Sequence, residues 1–212
     1  MKALILINFK LYKEAAGKKG LALAKKISKV KSSKYKIAIA PSLLTLQKIN
    51  EKTNIKTFSQ HTSHVELGSH TGRISAQELK ALGIKGTILN HSERRIPKQF
   101  LKQAIKNCQK YKLSTVVCAR NLSEIKKLAK FKPTYIAYEP KKLIGGNISV
   151  TAANPKIIQK AVKIYSNLLV GAGVHSRKDI QTAIKLGAKG VLIGHAVPKA
   201  KNPKKFLEGM LK

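Results

Sequence analysis

Carboxylates are scarce in this chain. Nine Asp and Glu stand against 43 Lys and Arg over 212 residues, a net charge of +34. An acidic group at the edge of an apolar strand therefore needs a reason. Cysteine is scarcer still: Cys108 and Cys118 are too far apart for a paired metal motif and too few for a disulfide framework. They read as reduced thiols of a cytoplasmic protein. No stretch approaches the roughly 20 apolar residues of a membrane-spanning helix, and Met1 to Ile7 lacks a cleavage-site pattern and reads as a strand rather than a signal peptide. No linker or low-complexity segment interrupts the sequence, so residues 1–212 are expected to form one domain.

Arginine is also rare, with five residues among the 43 basic ones, leaving 38 lysines. They are spread along the chain on polar helical positions such as Lys18, Lys19, Lys25, Lys26 and Lys29, and Lys126, Lys127 and Lys130. No glycine-aromatic RNA-binding motif or zinc-finger spacing accompanies them. The expectation is a solvated basic surface that draws in small anions, with nucleic acid as a non-specific polyanion contact.

What is present is a strict alternation. Short apolar segments run from Ala3 to Ile7, Lys36 to Ala40, Ile55 to Ser59, Gly86 to Leu89, Ser114 to Cys118, Thr134 to Tyr138, Leu168 to Gly171 and Gly190 to Ile193. They are mostly apolar rather than alternating, as strands covered on both faces are. Helical patterns follow near residues 14–29, 42–50, 75–82, 97–110, 122–130, 152–166, 176–186 and 203–211, several with caps: Ser75 with Glu78, Ser123 near Glu124, and Asn202 before Pro203. Eight strand–helix units without an antiparallel tail predict an α/β fold, a closed (β/α)8 barrel.

In such a barrel the chemistry sits where strands end. The first strand ends in Asn8-Phe9-Lys10, the third in Gln60-His61, the fourth in Asn90-His91-Ser92-Glu93, and the sixth in Glu139-Pro140. The seventh and eighth end in Gly171-Ala172-Gly173 and Gly194-His195, turns whose backbone amides can approach a phosphate. An imidazole and a carboxylate at neighbouring strand ends can share one substrate as acid and base.

These segments, with Gly68 to Gly72, Arg94-Arg95, Ala137-Tyr138 and Leu143-Ile144-Gly145-Gly146, make the chain resemble the triosephosphate isomerase family, and its short archaeal form in particular. The resemblance covers essentially the whole chain, and it implies a TIM barrel, a triose phosphate substrate and no metal or organic cofactor. It also implies that Glu139 is the base and His91 a neutral electrophile, a pairing for which this family is the standing example. Lys10 and Asn8 would attend the developing oxyanion, and Glu93 would anchor Lys10. Asn8, Phe9, Lys10, Ile144, Gly145, Gly173, Gly194 and His195 would line the substrate site, with segment 140–150 as a closing lid. Segment Gln60 to Arg73 would reach into a second subunit, with Thr71 near the partner's site, in a homodimer or homotetramer.

Two departures stand out: Gly146-Asn147 replaces the family's usual threonine-glycine, and His195 replaces a small residue. The alternatives are another phosphate-binding barrel, or a basic barrel with a nucleic-acid-binding role.

Overall fold

The computed structural model describes residues 2–140 and 150–212. Eight parallel strands close on themselves in sequence order: β1 (Ala3–Asn8), β2 (Tyr35–Ala40), β3 (Lys56–Ser59), β4 (Gly86–Leu89), β5 (Ser114–Ala119), β6 (Tyr135–Tyr138), β7 (Leu168–Val170) and β8 (Gly190–Ile193). The seam is the β1–β8 pairing, running from Leu4↔Gly190 to Ile7↔Ile193. It closes because residue 190 is glycine. A Cβ there would sit 1.9 Å from the Leu4 carbonyl oxygen, and φ is +146°.

The described helices between the strands are α1 (Gly17–Ser28), α2 (Leu43–Lys52), α3 (Ala76–Ala81), α4 (Lys98–Lys110), α5 (Leu122–Ala129), α6 (Val150–Ala153), α7 (Pro155–Ile164), α8 (Arg177–Lys185) and α9 (Pro203–Leu211). Each longer helix turns an apolar stripe to the barrel, such as Leu23, Ala24 and Ile27 of α1 or Leu101, Ala104 and Ile105 of α4. None is long and apolar enough to cross a membrane.

Strand residues divide by parity into two apolar layers. Leu4, Leu6, Ala38, Ala40, Phe58, Ile88, Val116, Ala137, Leu169 and Leu192 fill the barrel interior. Ile5, Ile7, Ile39, Leu89, Val117, Ile136, Val170 and Val191 face the helices. Both faces of every strand are covered, which is why the strands read as continuous apolar runs. Burying each such aliphatic side chain contributes about 1.5–3 kcal/mol relative to leaving it exposed. This wall is the rigid support on which the strand-end residues are mounted.

Three local expectations change. The helix expected near 152–166 is two, because Pro155 has no N–H to continue a helix from α6; Asn154 instead caps α7 by accepting from the Ile157 amide. The cap of α5 is Asn121, whose side chain accepts from the Glu124 amide, and not Ser123. Helix α1 starts at Gly17 rather than near 14.

Candidate active site

Two backbone departures from the strand lie at the principal groups. Along β4, Ile88 faces the interior and Leu89 the helices, so a continued strand would send His91 outward. Asn90 breaks the alternation with a left-handed φ of 58°, a conformation that asparagine tolerates better than most residues. Its side chain fixes the bend, donating to the Cys118 carbonyl at 3.0 Å and accepting from the Ile96 amide at 3.1 Å. His91 thereby lines one pocket at the mouth with Asn8, Lys10, Glu139, Gly173, Gly194 and His195.

Lys10 is the second departure, a left-handed residue at φ 49° whose amide donates to Asn8 Oδ1 at 3.0 Å. Strain of this kind persists only where the surroundings over-determine it. Here the Gln60 side chain donates to the carbonyls of Lys10 and Ala40, each at 3.0 Å, tying the ends of β1 and β2 together. Lys10 Nζ meets Glu93 Oε1 at 2.5 Å. Burial works against the lysine's charge, but the hydrogen bond and charge of Glu93, with the charges of Tyr12 and Glu139, together outweigh it and raise the pKa. A cation is thus held in place beside the pocket.

Glu139 follows β6 and is buried, its amide donating to the Ala119 carbonyl at 2.8 Å. Its Oε1 lies 3.6 Å from His91 Nε2, too far for a hydrogen bond yet close enough for one small substrate to touch both. The other ring nitrogen, Nδ1, accepts the Glu93 amide at 3.2 Å. A backbone N–H can donate only to a nitrogen with a free lone pair, which puts the ring proton on Nε2, facing Glu139.

Burial raises the Glu139 pKa above the ordinary carboxylate value, while His91, the Cys118 thiol and Lys10 pull it partly back. The Cys118 thiol stays protonated and able to donate, since burial and then the Glu139 charge push its own pKa well up. With 43 basic residues in the chain, Glu139 could easily have become half of a lysine ion pair. Lys10, the lysine that lines the same pocket, is paired with Glu93 instead.

Phe9 is corrected. It is fully buried in the layer between strands and helices, and its amide bonds to the Ala40 carbonyl at 2.9 Å, so it supports β1 and does not line the pocket. Ile144 and Gly145, with most of the expected lid, lie outside the described residues. Among the described residues no group of three His, Cys, Asp or Glu is placed to hold a metal ion.

Three contributors were not singled out from sequence. Gly171, read as part of a phosphate turn, makes room for Glu139: a Cβ there would lie 2.6 Å from Glu139 Cγ. Cys118 looked inert but lies beside the carboxylate. Glu124 on α5 pairs with Arg95, whose guanidinium also donates to the Asn90 carbonyl at 3.0 Å. The sequence signal for Gly171 and Cys118 was present, since both end the apolar runs on either side of the one that forms β6, but only barrel closure shows what they touch.

A sequence model of the family described as triosephosphate isomerase matches residues 3–210. The chain is 39% identical over 216 residues to a protein named triosephosphate isomerase from Methanocaldococcus jannaschii, covering 99% of each chain. It is 38% identical to one of that name from Thermoplasma volcanium, covering 98% of this chain and 99% of the other. A third, from Methanothermus fervidus, is 34% identical over 99% of this chain and 98% of its own length.

Proposed function

Since the chain belongs to the triosephosphate isomerase family, we propose that it interconverts D-glyceraldehyde 3-phosphate and dihydroxyacetone phosphate through an enediolate. The observation that carries this reading is the placement of Glu139 Oε1 and His91 Nε2 3.6 Å apart, with Lys10 lining the same pocket.

In this mechanism Glu139 takes the proton from the carbon next to the carbonyl. Its raised pKa makes it a stronger base than a solvated carboxylate. The His91 Nε2–H donates to the carbonyl oxygen and then shuttles protons between the two oxygens. The Lys10 ammonium and Asn8 stabilise negative charge as it develops, without reorganising during the reaction. Glu139 returns its proton to the adjacent carbon. The amides of Gly173, Gly194 and His195 hold the phosphate.

A coupled isomerase assay tests the reading: turnover of either triose phosphate supports it, and its absence in the folded protein overturns it. The nucleic-acid alternative has no specific observation behind it. The lysines cited for it, from Lys18 to Lys130, are all exposed on the outer helices α1 and α5 or their C-terminal ends.

Self-association and a cytoplasmic location belong to the same proposal. Leu11, Leu44 and Leu67 follow β1, β2 and β3 at the mouth, and are 78%, 97% and 58% exposed. Three exposed leucines, two on loops and one in the first turn of α2, suit a contact between copies of the chain. Repulsion at +34 per subunit opposes it but is screened beyond about 8 Å at physiological salt. Light scattering should give a mass of two or four chains; a monomer at micromolar concentration would exclude the contact.

A further inference from the structure

His195 opens the turn after β8, its carbonyl accepting the Lys199 amide at 3.0 Å. The residue lines the pocket that holds Lys10 and Gly194, and also an open cleft lined by Lys199, Lys201 and Lys205. Lys10 runs close by: a Cβ on Gly194 would lie 3.6 Å from its Cε. The charged and titratable groups around the ring are Lys10 from the loop after β1, His175 from the loop after β7, and Lys199 from the same turn. Glu139 and His91 line the same pocket, and Lys10 itself is engaged by Glu93.

A histidine among cations gains nothing electrostatically in the free protein. It gains once a dianion enters, because each added proton is then attracted rather than repelled. The residue stands where the family usually has a small side chain, so the backbone amides alone do not require it.

We propose that the His195 side chain is a ligand of the substrate's phosphate, donating a ring N–H to it and taking up a proton as the dianion binds. The proposal rests on the isomerase reading for the identity of the anion. Burial, and then Lys10, Lys199 and His175, hold the free imidazole below its ordinary pKa. The dianion raises it. Between the two values binding is accompanied by proton uptake, so affinity rises as pH falls, by up to about tenfold for each unit separating them. This makes phosphate capture by this chain pH-dependent in a range where lysine and backbone amides do not titrate.

Sulfate is a suitable probe because it remains a dianion across the range. Calorimetric titration of the full-length protein from pH 8 to pH 6 should show sulfate binding tighten by about tenfold. His195→Ser should bind with little pH dependence. His195→Gln should also be flat, yet tighter than His195→Ser at pH 8, since it keeps a donor without the titration. Parallel profiles for wild type and His195→Ser would overturn the proposal. Should the variants fold poorly, NMR titration of the wild-type imidazoles decides: the His195 pKa should rise on sulfate addition, and an unmoved value overturns it. Sulfate binding is independent of turnover. A wild-type protein that binds sulfate in this way but isomerises nothing would contradict the assigned function and leave the ligand role of His195 standing.

Discussion

Replacing Gly171 with alanine tests whether the wall behind Glu139 sets the position of the base. A Cβ at residue 171 would lie 2.6 Å from Glu139 Cγ and 3.2 Å from both Cδ and Oε1. Comfortable carbon–carbon separation is about 3.5–4.0 Å, so one side chain has to yield by roughly 1 Å. Gly171 sits in the wall, its amide donating to the Tyr138 carbonyl at 3.0 Å, whereas Glu139 ends in torsions that can turn. The carboxylate therefore moves. A misplacement of about 1 Å costs on the order of 10²-fold in rate, and overpacking adds about 1–3 kcal/mol of destabilisation. The assay is kcat/KM in the coupled reaction beside thermal unfolding. Gly209→Ala in α9, where a Cβ meets nothing within 4 Å, serves as the control; it should keep its kcat and gain about 0.5–1 kcal/mol. Wild-type kcat in Gly171→Ala, with unchanged Tm, would refute the steric argument.

Further expectations concern the same carboxylate and its cation. Glu139→Asp should lose most activity, because shortening the base by a methylene withdraws it from the substrate; wild-type turnover would remove Glu139 from its role. Lys10→Ala should raise KM and lower kcat together, as loss of a charge that serves both binding and the transition state does; normal values of both would exclude that role. Activity needs the ionised carboxylate and is lost as pH falls through its pKa, which burial raises, so the acid limb of kcat/KM should lie above the ordinary glutamate value near 4.3. Cys118→Ala removes a hydrogen bond that lowers that pKa and should move the limb higher still; a downward shift would contradict the assignment. Because the folded pKa is raised, the charge is held at a cost to stability at neutral pH. Glu139→Gln should accordingly unfold at a higher temperature, by about 2–4 °C for each kcal/mol released, and a lower Tm would count against a costly buried charge.

The barrel was legible because covering both faces of a strand leaves a plain mark, an apolar run without alternation. Observed strand limits fall within one residue of those expected from such runs, as at Gly86–Leu89 and Gly190–Ile193. His91 and Glu139 were legible because a titratable group ending an apolar run is conspicuous, all the more in a chain with nine acids. What was not legible depends on neighbours across the sheet. Gly171 matters through the side chain of β6, Gln60 through the carbonyls of β1 and β2, and Asn90 through β5. Phe9 misled because adjacent residues at a strand end face opposite ways: Asn8 and Lys10 line the mouth, and Phe9 between them packs behind the wall.

The central claim is that Glu139 moves a carbon-bound proton within a triose phosphate, and turnover in deuterium oxide tests it most directly. Starting from D-glyceraldehyde 3-phosphate, the wild-type protein should yield dihydroxyacetone phosphate carrying carbon-bound deuterium from solvent, at a rate that collapses in Glu139→Gln. No isomerisation by the folded wild-type protein, or undiminished deuterium incorporation by Glu139→Gln, would contradict it.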